Sequence, residues 1–135
     1  MYRIDSQALR KVKSNTPSYD ASMKDEPRVA CIFRSTRTSG SDAEYDVWSA
    51  KIDVLVTSTP GYVSHLSIRD TTSREGVTIS YFKSLASVDA WREQPVHRQA
   101  QQLGRERFYE EFTIEICEVA RAYHWSKYDE PPFER

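Results

Sequence analysis

The chain has 135 residues, 29% of them charged, and a formal net charge of −1. That length fits one domain, and the lack of basic excess argues against a phosphate-backbone partner. The longest apolar runs, such as Val54–Val56, fall far short of the ~20 residues of a membrane span, and the opening MYRIDSQALRKVK lacks the apolar centre of a secretion signal. A cytoplasmic protein with neither a nucleic-acid nor a membrane partner is the expectation.

Residues 1–27 mix charges with Ser, Asn, Thr and Pro and read as an N-terminal extension outside the core, with a short helix through Ser6–Lys13. RVACIFRST, Arg28–Thr36, is the first strand, apolar on both faces: Val29, Cys31 and Phe33 against Ala30, Ile32 and Arg34. Ser41 or Asp42 then caps a helix whose stripe is Tyr45, Trp48, Ile52, Leu55 and Val56. Pro60 and Gly61 end it. YVSHLSIRD and GVTISYFKS alternate as two strands of a hairpin joined through TTSREG. Ser84 caps a second helix that Pro95 interrupts, and Gly104, costly inside a helix, marks a close backbone approach. FTIEICEVARAY is a last strand of about ten residues, and the charged, proline-bearing tail from 126 to 135 has little regular structure.

The core order from 28 to 125 is therefore βαββαβ. This is the ferredoxin-like arrangement of the α+β class, a four-stranded antiparallel sheet with helices on one face. The second sheet face is apolar and has no element left to cover it, which predicts a homodimer with sheets face to face. Cys31 and Cys117 sit in apolar β-prone stretches and read as buried free thiols. His65, His97 and His124 are scattered without metal-ligand spacing, so no metal is expected.

Pro60, Gly61, Ser80, Tyr81, Trp91, Arg92, His97, Ala100, Gln101, Gly104, Arg105 and Tyr109 fall in an ordered pattern: a PGY turn, a TISY strand, then W-R-x4-H-x-x-A-Q-x-x-G-R running to a tyrosine. This pattern, spread over about 28–125, resembles the antibiotic-biosynthesis-monooxygenase-like family of dimeric α+β barrels. The resemblance implies a ferredoxin-like fold, a barrel-like dimer interface and, in its oxygenase members, oxidation of aromatic substrates without a cofactor. Haem-degrading members use a first-strand asparagine, a helical tryptophan and a histidine ten residues beyond it. Here Trp91 matches the tryptophan, the tenth residue is Gln101, and the chain's one asparagine is Asn15, outside the core.

His97 is the candidate general base, Trp91 the aromatic wall and Tyr81 an oxyanion donor. Each also has a packing role open to it. Arg34, His65, Gln101, Arg105 and Tyr109 are candidates to bind substrate, Arg105 alternatively pairing with Glu106, Glu110 or Glu111. Gln101 or Arg34 would stand in for the missing asparagine. The leading expectation is a cofactor-independent monooxygenase of a small aromatic substrate. The alternatives are a haem-binding or haem-degrading protein and a non-catalytic dimeric module that binds a ligand or partner.

Overall fold

The computed structural model describes residues 10–14 and 28–128. Strand β1 is Arg10–Ser14, β2 Val29–Arg37, β3 Tyr62–Asp70, β4 Glu75–Phe82 and β5 Tyr109–Glu118. Helix α1 is Asp42–Thr57, α2 Leu85–Glu93 and α3 Pro95–Leu103, and one π-helical turn, Gly104–Phe108, joins α3 to β5. The sheet order is β1-β3-β4-β2-β5, and the registered pairs are antiparallel. The last four strands of that order are the ferredoxin-like core.

The fifth strand departs from the reading of residues 1–27. Arg10–Ser14 pairs with Leu66–Asp70 of β3 where a helix was expected, while residues 6–9 lie outside the described residues. Strand pairing rests on backbone groups, so the charged RKVK needs no apolar alternation to add itself to an open edge.

Local signals place the helices. Ser84 Oγ accepts from Ser87 N at 3.1 Å and caps α2. Gln94 Oε1 accepts from His97 N at 2.8 Å, and Pro95 occupies the first position of α3, where its missing N–H costs nothing. Ser41 precedes α1 but makes no capping bond; its hydroxyl instead meets Thr38 and Arg37. The core lies between α1, α2 and one sheet face. Phe82 and Val88 are 0% and 1% exposed, and Val29, Val56 and Trp91 close around them.

The opposite sheet face carries Ile32 paired with Ile79, Leu66 paired with Ile79, and Ile68 paired with Val77, all half-buried. Cys117, expected to be buried, sits on that side of the outer strand β5 and is exposed, whereas Cys31 on the helix side is half-buried.

Gly61 shows why the PGY turn needs glycine. Its φ is +85°, and a Cβ there would lie 2.0 Å from Ser87 Oγ and 2.7 Å from Ser87 Cβ. Gly40 has a similar φ of +89° with nothing within 4 Å. Gly61→Ala is expected to cost about 1–3 kcal/mol and Gly40→Ala to sit at the lower end of that range, a difference readable by urea unfolding.

Candidate functional site

Two one-residue irregularities aim the site. In β3, Tyr62 pairs with Phe82 but Ser64 pairs with Tyr81, so Val63 is the extra residue of a bulge. Beyond it His65 pairs with Ser80, on the face that meets the helices. In β5, Thr36 pairs with Glu111 while Arg37 pairs with Tyr109, leaving Glu110 extra and turning Tyr109 to the same face.

A cavity of about 200 Å³ opens between this face, α1 and α3. Phe33, Trp48, Ile52, Phe108, Phe112 and Ile114 make its apolar walls. His65, Ser67, Thr78 and Ser80 give it a polar strip along β3 and β4. Ser67 Oγ and Thr78 Oγ1 are 2.6 Å apart.

Of the residues singled out in the sequence, Trp91, His97, Gln101, Arg105, Tyr109 and His65 all line this cavity. Tyr81 and Arg34 are not brought to it. Tyr81 pairs with Ala30, and Arg34 with Val77 and Thr113, on the opposite sheet face, where Arg34 is exposed and the Arg28 guanidinium lies 5.7 Å from the Tyr81 ring centre. Strand alternation gives both residues the wrong parity for the helix side. Tyr81 therefore has no oxyanion to reach in this cavity, and Arg34 cannot stand in for the missing asparagine.

His97 and Trp91 form one unit. Their rings stack at 4.1 Å with 14° between planes, although they belong to different helices; the Pro95 break folds α3 back against α2. His97 Nδ1 lies 3.0 Å from Trp91 O, and Gln101 Nε2 donates to Arg92 O at 3.0 Å while lying 3.3 Å from His97 Nδ1. A carbonyl only accepts, so Nδ1 carries the proton and Nε2 holds the lone pair in the neutral ring. Burial pushes His97 below its ordinary value of 6.5, with the Trp91 carbonyl opposing and the Arg92 charge adding to the shift. The ring is thus neutral at pH 7 and presents a basic nitrogen.

At the far end Tyr109 is held up well above its ordinary 10 by burial first, then by the neighbouring Tyr45 phenol and their mutual hydrogen bond. It stays a donor throughout the physiological range. Gly104 permits this packing, because a Cβ there would lie 3.0 Å from the Tyr109 ring. Arg105 makes no ion pair among the described residues and instead lies 5.8 Å over the Phe112 ring. His65, 6% exposed, has Tyr62 Oη 2.6 Å from Nδ1 and Asp53 Oδ1 3.9 Å from Nε2. Among the described residues no group of three His, Cys, Asp or Glu side chains could hold a metal ion, and no helix is long and apolar enough to cross a membrane.

Sequence reasoning passed over Asp53, Ser67, Thr78, Cys31 and Phe33. For the four strand residues the signal was parity with His65 on β3, Ser80 on β4 or Val29 on β2, once the helix-covered face is known.

No protein-family model matches the chain. The uncharacterized protein YqjZ of Bacillus subtilis strain 168 is 30% identical over 95 residues, which is 70% of this chain and 82% of that protein. Among solved structures, a point mutant of SnoaB, a cofactor-independent oxygenase from Streptomyces nogalater, superposes with a TM-score of 0.60 at 18% identity, covering 70% of this chain and 95% of SnoaB. A protein described as an antibiotic biosynthesis monooxygenase gives 0.61 at 10% identity over 68% of this chain and 98% of its own. Rv0793 of Mycobacterium tuberculosis gives 0.59 at 15% identity over 73% and 99%.

Proposed function

The chain belongs to the antibiotic-biosynthesis-monooxygenase-like family, and from that premise we propose that it oxidises a small hydroxylated aromatic substrate with dioxygen. The observation that carries this reading is the neutral imidazole of His97 stacked on Trp91 at the wall of an apolar cavity. His97 Nε2 removes the phenolic proton, and the resulting phenolate is electron-rich enough to reduce dioxygen with its own electrons. One oxygen atom enters the ring as a new carbonyl. The other leaves as water, carrying the phenolic proton and the hydrogen displaced from the oxidised carbon. Apolar walls exclude water from the anion and strengthen nearby polar contacts, and the Tyr109 hydroxyl, hydrogen-bonded to Tyr45, would have to turn from that partner to donate to a developing oxyanion.

Size sets the substrate class. A dry cavity of ~150 Å³ holds benzene, so this apolar part, about 200 Å³, has room for one ring or two small ones. The tenth residue after Trp91 is Gln101, whose Nε2 is engaged by Arg92 O. A glutamine there, already engaged, weighs against the haem reading. The apolar sheet face built on Ile32, Leu66, Ile68, Val77 and Ile79 fits a second copy of the chain, which would make the working unit a homodimer.

The test is oxygen uptake with a panel of one- and two-ring phenols and hydroquinones, supplied with isotopically labelled dioxygen. The proposal expects uptake equal to substrate lost and a single labelled atom in the product. Binding of the same compounds without any uptake would instead identify a non-catalytic ligand-binding module.

A further inference from the structure

A second cavity, about 280 Å³, adjoins the first: Tyr45, Ser49, Ser67 and Thr78 line both. The two form one cleft along α1 and β3, apolar around Phe33 and Trp91 and polar around Arg69.

Arg69 is built into the floor of the polar part. β4 lies between β3 and β2, yet the Arg69 side chain crosses it to reach Ser35 on β2, with Nη2 donating to Ser35 Oγ at 2.7 Å and Nη1 to Ser35 O at 3.2 Å. The crossing passes over Gly76, where a Cβ would lie 2.8 Å from Arg69 Cζ and 2.9 Å from Ile68 O. Nη1 also donates to Arg74 O at 2.8 Å. All these acceptors are neutral. Of the three carboxylates lining this cavity, two are engaged by other groups and the third is exposed to solvent. Asp42 takes Arg37 at 3.3 Å and Arg74 at 2.6 Å, Asp70 Oδ1 accepts from Thr72 N, and Asp46 is exposed on α1. A half-buried guanidinium with neutral partners favours an anion in front of it.

We propose that this cleft binds an aromatic carboxylate, its ring in the apolar part and its carboxylate on Arg69. The inference rests on the aromatic-site reading above. His65, Ser67 and Arg69 succeed one another on the cavity face of β3, so Arg69 lies about 7 Å beyond the pair of hydroxyls at Ser67 and Thr78. A carboxylate carried two or three bonds off the ring spans that step.

The test is calorimetric titration of the full chain with phenylpropionate and with phenylpropionamide, which share ring and length but differ in charge. The acid is expected to bind about tenfold or more tightly than the amide. Arg69→Met should bring the two affinities together while leaving that of the amide unchanged, which also shows that the variant is folded. Ser67→Asp, which places a carboxylate on the same face one step away, should reverse the preference and serves if Arg69→Met does not fold. Equal binding of acid and amide by the unaltered chain, or a preference that survives both substitutions, overturns the carboxylate site while leaving the aromatic cavity standing. Binding of neither compound overturns both.

Discussion

His97→Ala is expected to lower the turnover of a phenolic substrate by about a hundred- to ten-thousand-fold, the usual worth of a positioned general base, with little change in substrate affinity. The effect is large because Gln101, within 3.3 Å of the ring, cannot take a proton in its place. The pH dependence gives a second readout. Burial lowers the His97 pKa below 6.5, so turnover should be level above that value and fall only on further acidification. Stability follows with a definite sign. The unfolded chain takes up the proton at higher pH than the folded one, so it binds more protons in the window between the folded pKa and 6.5. Stability from this group is fully present above 6.5 and is lost as pH falls through the folded pKa. His97→Gln should remove that part of the slope, as seen in thermal melts at neutral and mildly acidic pH. Turnover of His97→Ala equal to that of the unaltered chain would remove His97 from the mechanism.

Trp91→Ala should cost about 3–5 kcal/mol and lower the melting temperature by roughly 10–20 °C for a domain of this size. Trp91 is 6% exposed and packs into the cluster of Val29, Val56, Phe82 and Val88, so its removal leaves a hole that neighbours on three elements cannot fill together. It also strips His97 of its stacking partner. Trp91→Phe keeps most of the volume and should recover more than half of the stability. Recovery of stability without recovery of turnover would show that the indole orients the imidazole as well as filling space. An alanine variant with an unchanged melting temperature would contradict the packing.

Much of this fold can be read in the sequence because its elements carry clean periodicities. The hairpin strands alternate, α1 shows its stripe at Tyr45, Trp48, Ile52, Leu55 and Val56, and Pro95 divides α2 from α3 as expected. The spacing of four that links His97, Gln101 and Arg105, with Tyr109 after them, also brought most of the candidate site onto one wall. Other features were not legible, for physical reasons. β1 is held by backbone pairing and carries no pattern. Tyr81 and Arg34 were misplaced because alternation divides the residues of β2 and β4 into two sets without saying which set meets the helices, and in β4 the set turned toward them, with Thr78 and Ser80, is the more polar one. Arg69 gave no signal at all: its path depends on Gly76 in the neighbouring strand, a contact set by register rather than by sequence distance.

The bulges at Val63 and Glu110 carry a consequence for how such a site changes over generations. In a pleated strand, gaining or losing one residue inverts everything between it and the next turn. Loss of Val63 would turn either Tyr62 or the His65–Ser67–Arg69 row away from the helices, with every side chain chemically intact. Loss of Glu110 would do the same to Tyr109. Single-codon deletions at these two places are therefore a short route by which a relative could keep the fold and the residue types yet lose the pocket. Position-by-position comparison of identities would pass over that loss, whereas counting residues between Gly61 and His65 would find it.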